Sequence, residues 1–167
     1  MALKPRSSIA IVAAWLIFGA CAGASDVESI LTPKWVTYDL ATRSPGPPVV
    51  LELSSERAHF DKLVGDLQLQ YAGSLPASDS IELSNAEVYK VQNAAEYFAK
   101  NKSIPEVVLW YCGQPAAYMT IRKLGPFPAE YHAPPLWVRI AFIHADSFSD
   151  IGPVHVCSGN SYTPREK

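Results

Sequence analysis

Hydrophobic and polar residues alternate along several short stretches of the chain. Between residues 35 and 40, for example, Val36, Tyr38 and Leu40 alternate with Thr37 and Asp39. This two-residue period is typical of a strand that buries one face. Similar stretches, and short runs rich in β-branched and aromatic residues, predict seven strands. They lie near residues 35–40, 49–53, 67–71, 107–112, 117–123, 136–144 and 153–157.

Two other segments place apolar residues three and four positions apart, which favours helices with one apolar face. The first predicted helix covers residues 55–66 and the second covers residues 85–101. At the start of the second, Ser84 and Glu87 fit a capping box, in which the two side chains satisfy free amides of the first turn. Strands that are joined by short Gly- and Pro-containing turns and flanked by helices predict an α+β fold. We expect a mainly antiparallel sheet packed on one or two helices.

The first 24 residues have the layout of a secretory signal peptide. Lys4 and Arg6 precede an uncharged apolar stretch at 9–18, and small residues follow it. The apolar stretch is about half as long as a membrane-spanning helix requires. We therefore predict that residues 1–24 are a signal peptide, that 25–167 form a single globular domain, and that no transmembrane span remains after cleavage.

Cys21 lies at the end of this segment and allows two processing routes. Cleavage after Ala24 follows a small-x-small pattern and would release a periplasmic or secreted bacterial protein. The alternative is a lipoprotein signal, in which Cys21 is acylated and anchors the protein to a membrane. Phe18 stands where such signals usually carry leucine. We favour release.

Either route leaves Cys112 and Cys157 as an even pair in an oxidising compartment. A disulfide between them would stabilise the fold by roughly 4 kcal/mol on the loop-entropy model. The alternative is a nucleophilic Cys157 activated by His155. That chemistry needs a positioned base or a helix N-terminus to lower the pKa of the thiol, and the sequence indicates neither.

Charge and motif content exclude several classes of function. The net charge is −2, and loss of Lys4 and Arg6 would make it −4. Without a cluster of basic residues, nucleic acid is not an expected partner. The four histidines lack metal-ligand spacing, so no metal or other cofactor is predicted.

No catalytic residues are assigned, since the sequence contains no nucleophile elbow or other catalytic motif. His144 and Asp146 stand close together at a predicted strand end, and Glu52 lies in an apolar strand. Turn formation and an exposed strand face explain these residues.

The segment from residue 124 to residue 137 is the best functional signal in the sequence. It contains four prolines and connects two predicted strands. Such loops are often functional, and prolines reduce the ordering cost of binding. We name four candidate residues for binding a ligand or partner: Phe127, Tyr131, His132 and Trp137. Packing of these residues at the rim of the core is the alternative.

The combined observations favour a small, exported, disulfide-stabilised protein that acts in binding, as an inhibitor or as an accessory protein of the cell envelope. Its partner would be a protein or a small ligand. The alternative is a small exported hydrolase or isomerase. It would use His or Asp/Glu acid-base groups in a pocket between helix and sheet.

Overall fold

A computed structural model describes residues 29–41, 50–125 and 137–165. In these residues, eight antiparallel strands follow one another in order, and the last pairs with the first to close a barrel. Two short helices connect the fifth and sixth strands. The strands are β1 (Val36–Leu40), β2 (Val50–Leu53), β3 (Arg57–Phe60), β4 (Leu67–Ser74), β5 (Glu87–Val91), β6 (Tyr118–Leu124), β7 (Trp137–Ile143) and β8 (Val156–Pro164); the helices are α1 (Ala94–Asn101) and α2 (Pro105–Trp110).

The barrel interior is filled by alternate residues of the strands. Leu51 and Phe60 are opposite each other on β2 and β3, and both are fully buried. On the other side of the barrel, Met119 pairs with Phe142, whose ring lies 6.0 Å from that of Phe60. An eight-stranded barrel is just wide enough for side chains to fill it. Burial of each such side chain contributes about 1.5–3 kcal/mol.

The two ends of the barrel are covered by different elements. The helices α1 and α2 cover the end at which β5 stops, and we call this the helix end. There the ring of Tyr111 stacks on Phe142 with centroids 4.4 Å apart, and Tyr97 packs beside Tyr111. The opposite end receives the N-terminal segment, the β2–β3 turn and the β4–β5 loop, and β6 ends there.

A second, smaller core lies outside the barrel wall. The β4–β5 loop and the β7–β8 connection fold over the outer faces of the central strands, where Leu83, Val88, Tyr118 and Ile143 are buried together. β5 is therefore covered on both faces. This arrangement gives it a nearly continuous run of buried residues.

The α+β prediction is wrong because the sheet closes on itself and encloses its own core instead of packing on helices. Several strand predictions agree with the structure. Those near 35–40, 49–53, 67–71, 117–123 and 136–144 correspond to β1, β2, β4, β6 and β7.

The helix predicted at residues 55–66 is wrong. Residues 57–60 form β3, from which Ala58 and Phe60 face the interior, and residues 55–56 and 61–66 lie in the turns on either side of it. Val64, which the helical spacing would place on the apolar face, is 60% exposed. The residues at this helical spacing are Phe60 in β3, Leu63 and Val64 in the following turn, and Leu67 in β4. Their spacing of three and four positions therefore arose by chance.

The helix predicted at residues 85–101 begins too early. Its first part is β5, and only the second part is helical, as α1. The proposed capping box does not form. Ser84 accepts a hydrogen bond from the amide of Ser78, and Glu87 lies in the barrel. Because β5 is buried on both faces, its apolar run imitates the start of a helix.

The strand predicted at residues 107–112 is a helix, α2, with Pro105 in its first turn. Proline is favoured there because its fixed φ suits a helix start and it lacks only an amide that would be free in any case. The strand predicted at 153–157 is mostly a 3₁₀ turn at Pro153–His155, and β8 begins at Val156.

Candidate functional site

A short N-terminal segment crosses the barrel end opposite the helices. We call residues 29–32 the strap and this end of the barrel the strap end. On one side, the amide of Ile30 donates to the Glu87 carboxylate at 2.7 Å. On the other, the carbonyl of Thr32 accepts from the amide of Ser55 at 2.7 Å. Between these anchors, Leu31 is buried in the barrel core. The strap therefore closes the strap end.

Glu87 is the central polar group of this site, and it is only 4% exposed. Besides the Ile30 amide, its carboxylate accepts hydrogen bonds from the Tyr89 hydroxyl at 2.6 Å and the Ser29 hydroxyl at 3.2 Å. No cation among the described residues forms an ion pair with Glu87. Burial of a carboxylate is costly unless donors replace its lost water, and these three donors supply that replacement.

Two tyrosines flank Glu87. Tyr89 is buried, and this burial, followed by its hydrogen bond to Glu87, raises the pKa of its hydroxyl well above the usual range. Tyr71 contacts the Tyr89 ring edge-on at 5.7 Å but is itself 52% exposed. The ring of Tyr71 therefore extends the buried cluster to the surface.

A tryptophan marks the other side of the strap. Trp35 directly precedes β1, is 42% exposed, and lies beneath the Arg57 guanidinium at 5.4 Å in a cation–π contact. Trp35 and Tyr71 thus stand beside the two anchors of the strap. We call them the rim aromatics.

A separate polar cavity of about 250 Å³ lies between α1 and the sheet. Its wall includes Asp66, whose carboxylate lies 2.9 Å from the Nδ1 of His59 and 3.8 Å from the guanidinium of Arg57. Lys100 and Glu96, also in the wall, form an ion pair. The charges of the cavity are thus paired with one another.

The structure brings Cys112 and Cys157 together as a disulfide with Cα atoms 5.6 Å apart. The prediction of this pair is confirmed, and the bond joins the turn that follows α2 to β8, the last strand. Because Cys157 is bonded, the nucleophilic alternative with His155 is excluded.

The remaining candidate residues do not meet in one place. His144 donates its Nε2 hydrogen to the carbonyl of Tyr111 at 2.8 Å, since a carbonyl can only accept. Asp146 is exposed in the following loop, and Glu52 lies on β2 opposite Thr37 and His59.

Of the predicted binding residues, Trp137 begins β7 and is partly buried. Phe127, Tyr131 and His132 lie outside the described residues, as do the predicted signal peptide and Cys21. Leu124, at the end of β6, pairs with Trp137, at the start of β7, at the strap end.

Sequence reasoning missed Glu87, the strap and the rim aromatics. In a strand, Glu87, Tyr89 and Val91 share one face, so a strand assignment would have placed the carboxylate inside the barrel. The helical interpretation of the same residues concealed it. Nothing local in the sequence links the strap to β5, because the two are 57 residues apart.

In the described parts of the chain, no three His, Cys, Asp or Glu side chains are grouped so that they could hold a metal ion. Nor do these parts contain a helix long and apolar enough to cross a membrane. No protein-family model, curated protein or solved structure matches the chain.

Proposed function

We propose that the protein is an exported binding protein of the cell envelope that engages its partner at the strap end. The observation that carries the proposal is the pair of exposed rim aromatics beside the two anchors of the strap. Tyrosine and tryptophan are enriched at interfaces because each supplies a large apolar surface with a polar group. At the helix end, the large exposed hydrophobic residues are aliphatic: Val64, Val108, Leu109 and Val154.

Two further features support this location. The described ends of the proline- and aromatic-rich segment 124–137, Leu124 and Trp137, pair with each other at the strap end. The disulfide and the filled core provide a rigid scaffold, and rigidity reduces the entropic cost of binding. A protein partner fits this surface better than a small ligand enclosed in the barrel, because the described interior is occupied by side chains.

The test compares variants of the two ends. The mature protein is immobilised and exposed to an envelope extract of its source, and captured species are quantified by mass spectrometry. We expect the Trp35→Ser/Tyr71→Ser double variant to lose its specific partner by about tenfold or more. The matched Leu109→Ser/Val154→Ser variant at the helix end should retain it. Equal capture by both variants would contradict the proposal.

Export can be tested independently by the intact mass of the protein from its native source. We expect a chain that begins at Ser25, with a disulfide and no free thiol. A chain that begins at an acylated Cys21 would favour the anchored form and would leave the binding proposal unchanged. A chain that retains Met1 would contradict export.

The polar cavity favours a second candidate, a small hydrolase or isomerase. It lies between helix and sheet, and the close contact of His59 with Asp66 is a common arrangement for acid-base chemistry. We favour binding, because the cavity charges are already paired. Turnover of chromogenic esters or amides that is abolished by His59→Gln, but not by Gln92→Ala, would favour the enzyme.

A further inference from the structure

The strap is attached to the barrel as a bound peptide would be. It belongs to no strand or helix. Its contacts are the hydroxyl of Ser29, the amide and the partly buried side chain of Ile30, the buried side chain of Leu31 and the carbonyl of Thr32. Two main-chain hydrogen bonds at the ends and one side chain in a pocket between them are typical of peptide recognition.

We propose that the strap occupies a peptide-binding site of this protein and that an extended segment of a partner polypeptide can replace it there. This inference rests on the proposed binding function, and it specifies the class of partner. The rim aromatics stand at the two ends of the strap, so they would contact a peptide that extends beyond it.

The chemistry of the site defines the peptide. Glu87 selects donors, namely a hydroxyl at the first position and a main-chain amide at the second, which excludes proline there. The Leu31 pocket requires an aliphatic side chain at the third position, and the Ser55 amide requires an unobstructed carbonyl at the fourth. The Ile30 side chain packs against the core, so an apolar residue is also favoured at the second position. The sequence motif is thus Ser/Thr, an apolar residue other than proline, then Leu or a similar residue.

The first experiment measures whether the strap opens independently of the barrel. In the unmodified mature protein, hydrogen exchange by NMR should show the Ile30 amide exchanging about 100-fold faster than the amides in the middle of β6. Exchange of Ile30 at the same rate as β6 would mean that the strap opens only when the whole protein unfolds, and would overturn the proposal.

The second experiment supplies the segment as a free peptide. The full mature chain with Ile30→Pro and Leu31→Ser has a weakened strap, because it lacks the amide donor and the buried side chain. We expect the acetylated peptide DVESILTPK, residues 26–34, to bind this variant at a 1:1 ratio in calorimetry. The same peptide with proline at the isoleucine position should not bind.

Adding Glu87→Gln to the weakened chain should reduce peptide affinity about tenfold or more, because the acceptor loses its charge. Glu52→Gln, on the outer face of β2, is the matched control and should have no effect. Failure of the peptide to bind the folded variant, or exchange of straps between two copies without binding of free peptide, would overturn the inference. In either case, loss of partner capture by the Trp35→Ser/Tyr71→Ser variant would still support the proposal that the protein binds a partner at the strap end.

Discussion

Asn101 at the end of α1 shows how much of this fold depends on a single buried polar side chain. Its carboxamide accepts the amide of Val64 at 2.8 Å and donates to the carbonyls of Val64 and Tyr97. The side chain thus takes the place of a strand partner for the β3–β4 turn. Asn101 is fully buried, so water cannot replace the hydrogen bonds of its side chain.

We expect Asn101→Ala to lower the free energy of unfolding by about 2–4 kcal/mol, because it leaves buried main-chain groups without partners. Urea unfolding followed by circular dichroism measures the change. The control is Gln92→Ala, which removes an exposed side-chain hydrogen bond to Gln70 and should cost less than about 0.5 kcal/mol. Similar losses of unfolding free energy in the two variants would show that the buried hydrogen bonds of Asn101 contribute no more than the exposed one of Gln92.

Among the elements, β4 contains an irregularity that depends on glycine. The pairing of β4 with β5 shifts between Tyr71 and Gly73, and Gly73 has a φ of +144°. A Cβ atom at Gly73 would lie 3.0 Å from the ring of Phe148. The bulge therefore lets the β7–β8 connection pack directly on the β4 backbone.

Gly73→Ala should destabilise the protein by about 2–4 kcal/mol, through backbone strain and the clash with Phe148. Gly65→Ala is the control for strain alone. It also has a positive φ, but the added Cβ would contact nothing, so about 1–2 kcal/mol is expected. In a Phe148→Ala background the two glycine substitutions should cost nearly the same. Equal costs in the wild-type background would argue against the clash.

The disulfide ties α2 to the start of β8 across a separation of 45 residues. Replacing Cys112 and Cys157 together by serine should lower the free energy of unfolding by roughly 4 kcal/mol on the loop-entropy model. Guanidinium unfolding of the two proteins measures it. Addition of a thiol reductant should bring the wild-type midpoint to that of the double variant and leave the variant unchanged. A wild-type midpoint that does not respond to reductant would contradict this expectation.

The elements that could be predicted are those whose pattern is set by one buried face. β4 alternates in the sequence as it does in the barrel, with Leu67 and Leu69 buried and Gln68 and Gln70 exposed, and the cysteine pair follows from the number of cysteines and the predicted compartment alone. β5 and α2 could not be predicted in this way. β5 is buried on both faces and lost its alternation, while α2 contains two valines and a tryptophan, and the packing of Val107 and of the following Tyr111 in the barrel core stabilises it as a helix. Local propensity differs too little between the two states to resist such packing.

At the scale of the whole molecule, closure of the barrel depends on contacts that no local pattern encodes. The pairing of Asp39 with Thr163 joins β1 to β8 across most of the chain. The strap likewise reaches Glu87 over a long separation. For this reason the strap and its anchors required the structure, whereas the 124–137 segment stays a prediction from the sequence.

The closed barrel also predicts how stability responds to alkaline pH. Burial raises the pKa values of five tyrosine hydroxyls above the usual value of about 10; they are Tyr38, Tyr89, Tyr97, Tyr111 and Tyr162. Below pH 10, both the folded and the unfolded chain keep these protons. Above it, the unfolded chain loses them while the folded chain retains them. The folded state then binds more protons, so stability falls as pH rises.

We therefore expect the free energy of unfolding to be constant with respect to these groups up to about pH 9 and to decrease above pH 10. At pH 11 each of the four strongly shifted tyrosines, Tyr89, Tyr97, Tyr111 and Tyr162, would contribute up to about 1.4 kcal/mol to the loss. Urea midpoints measured between pH 8 and pH 11.5 would test this, together with phenolate absorbance near 295 nm. Tyr162→Phe removes one such group and should reduce the slope above pH 10 by about one proton per molecule. If the phenolate absorbance of these tyrosines developed fully while the barrel stayed folded, the barrel interior would be open to solvent.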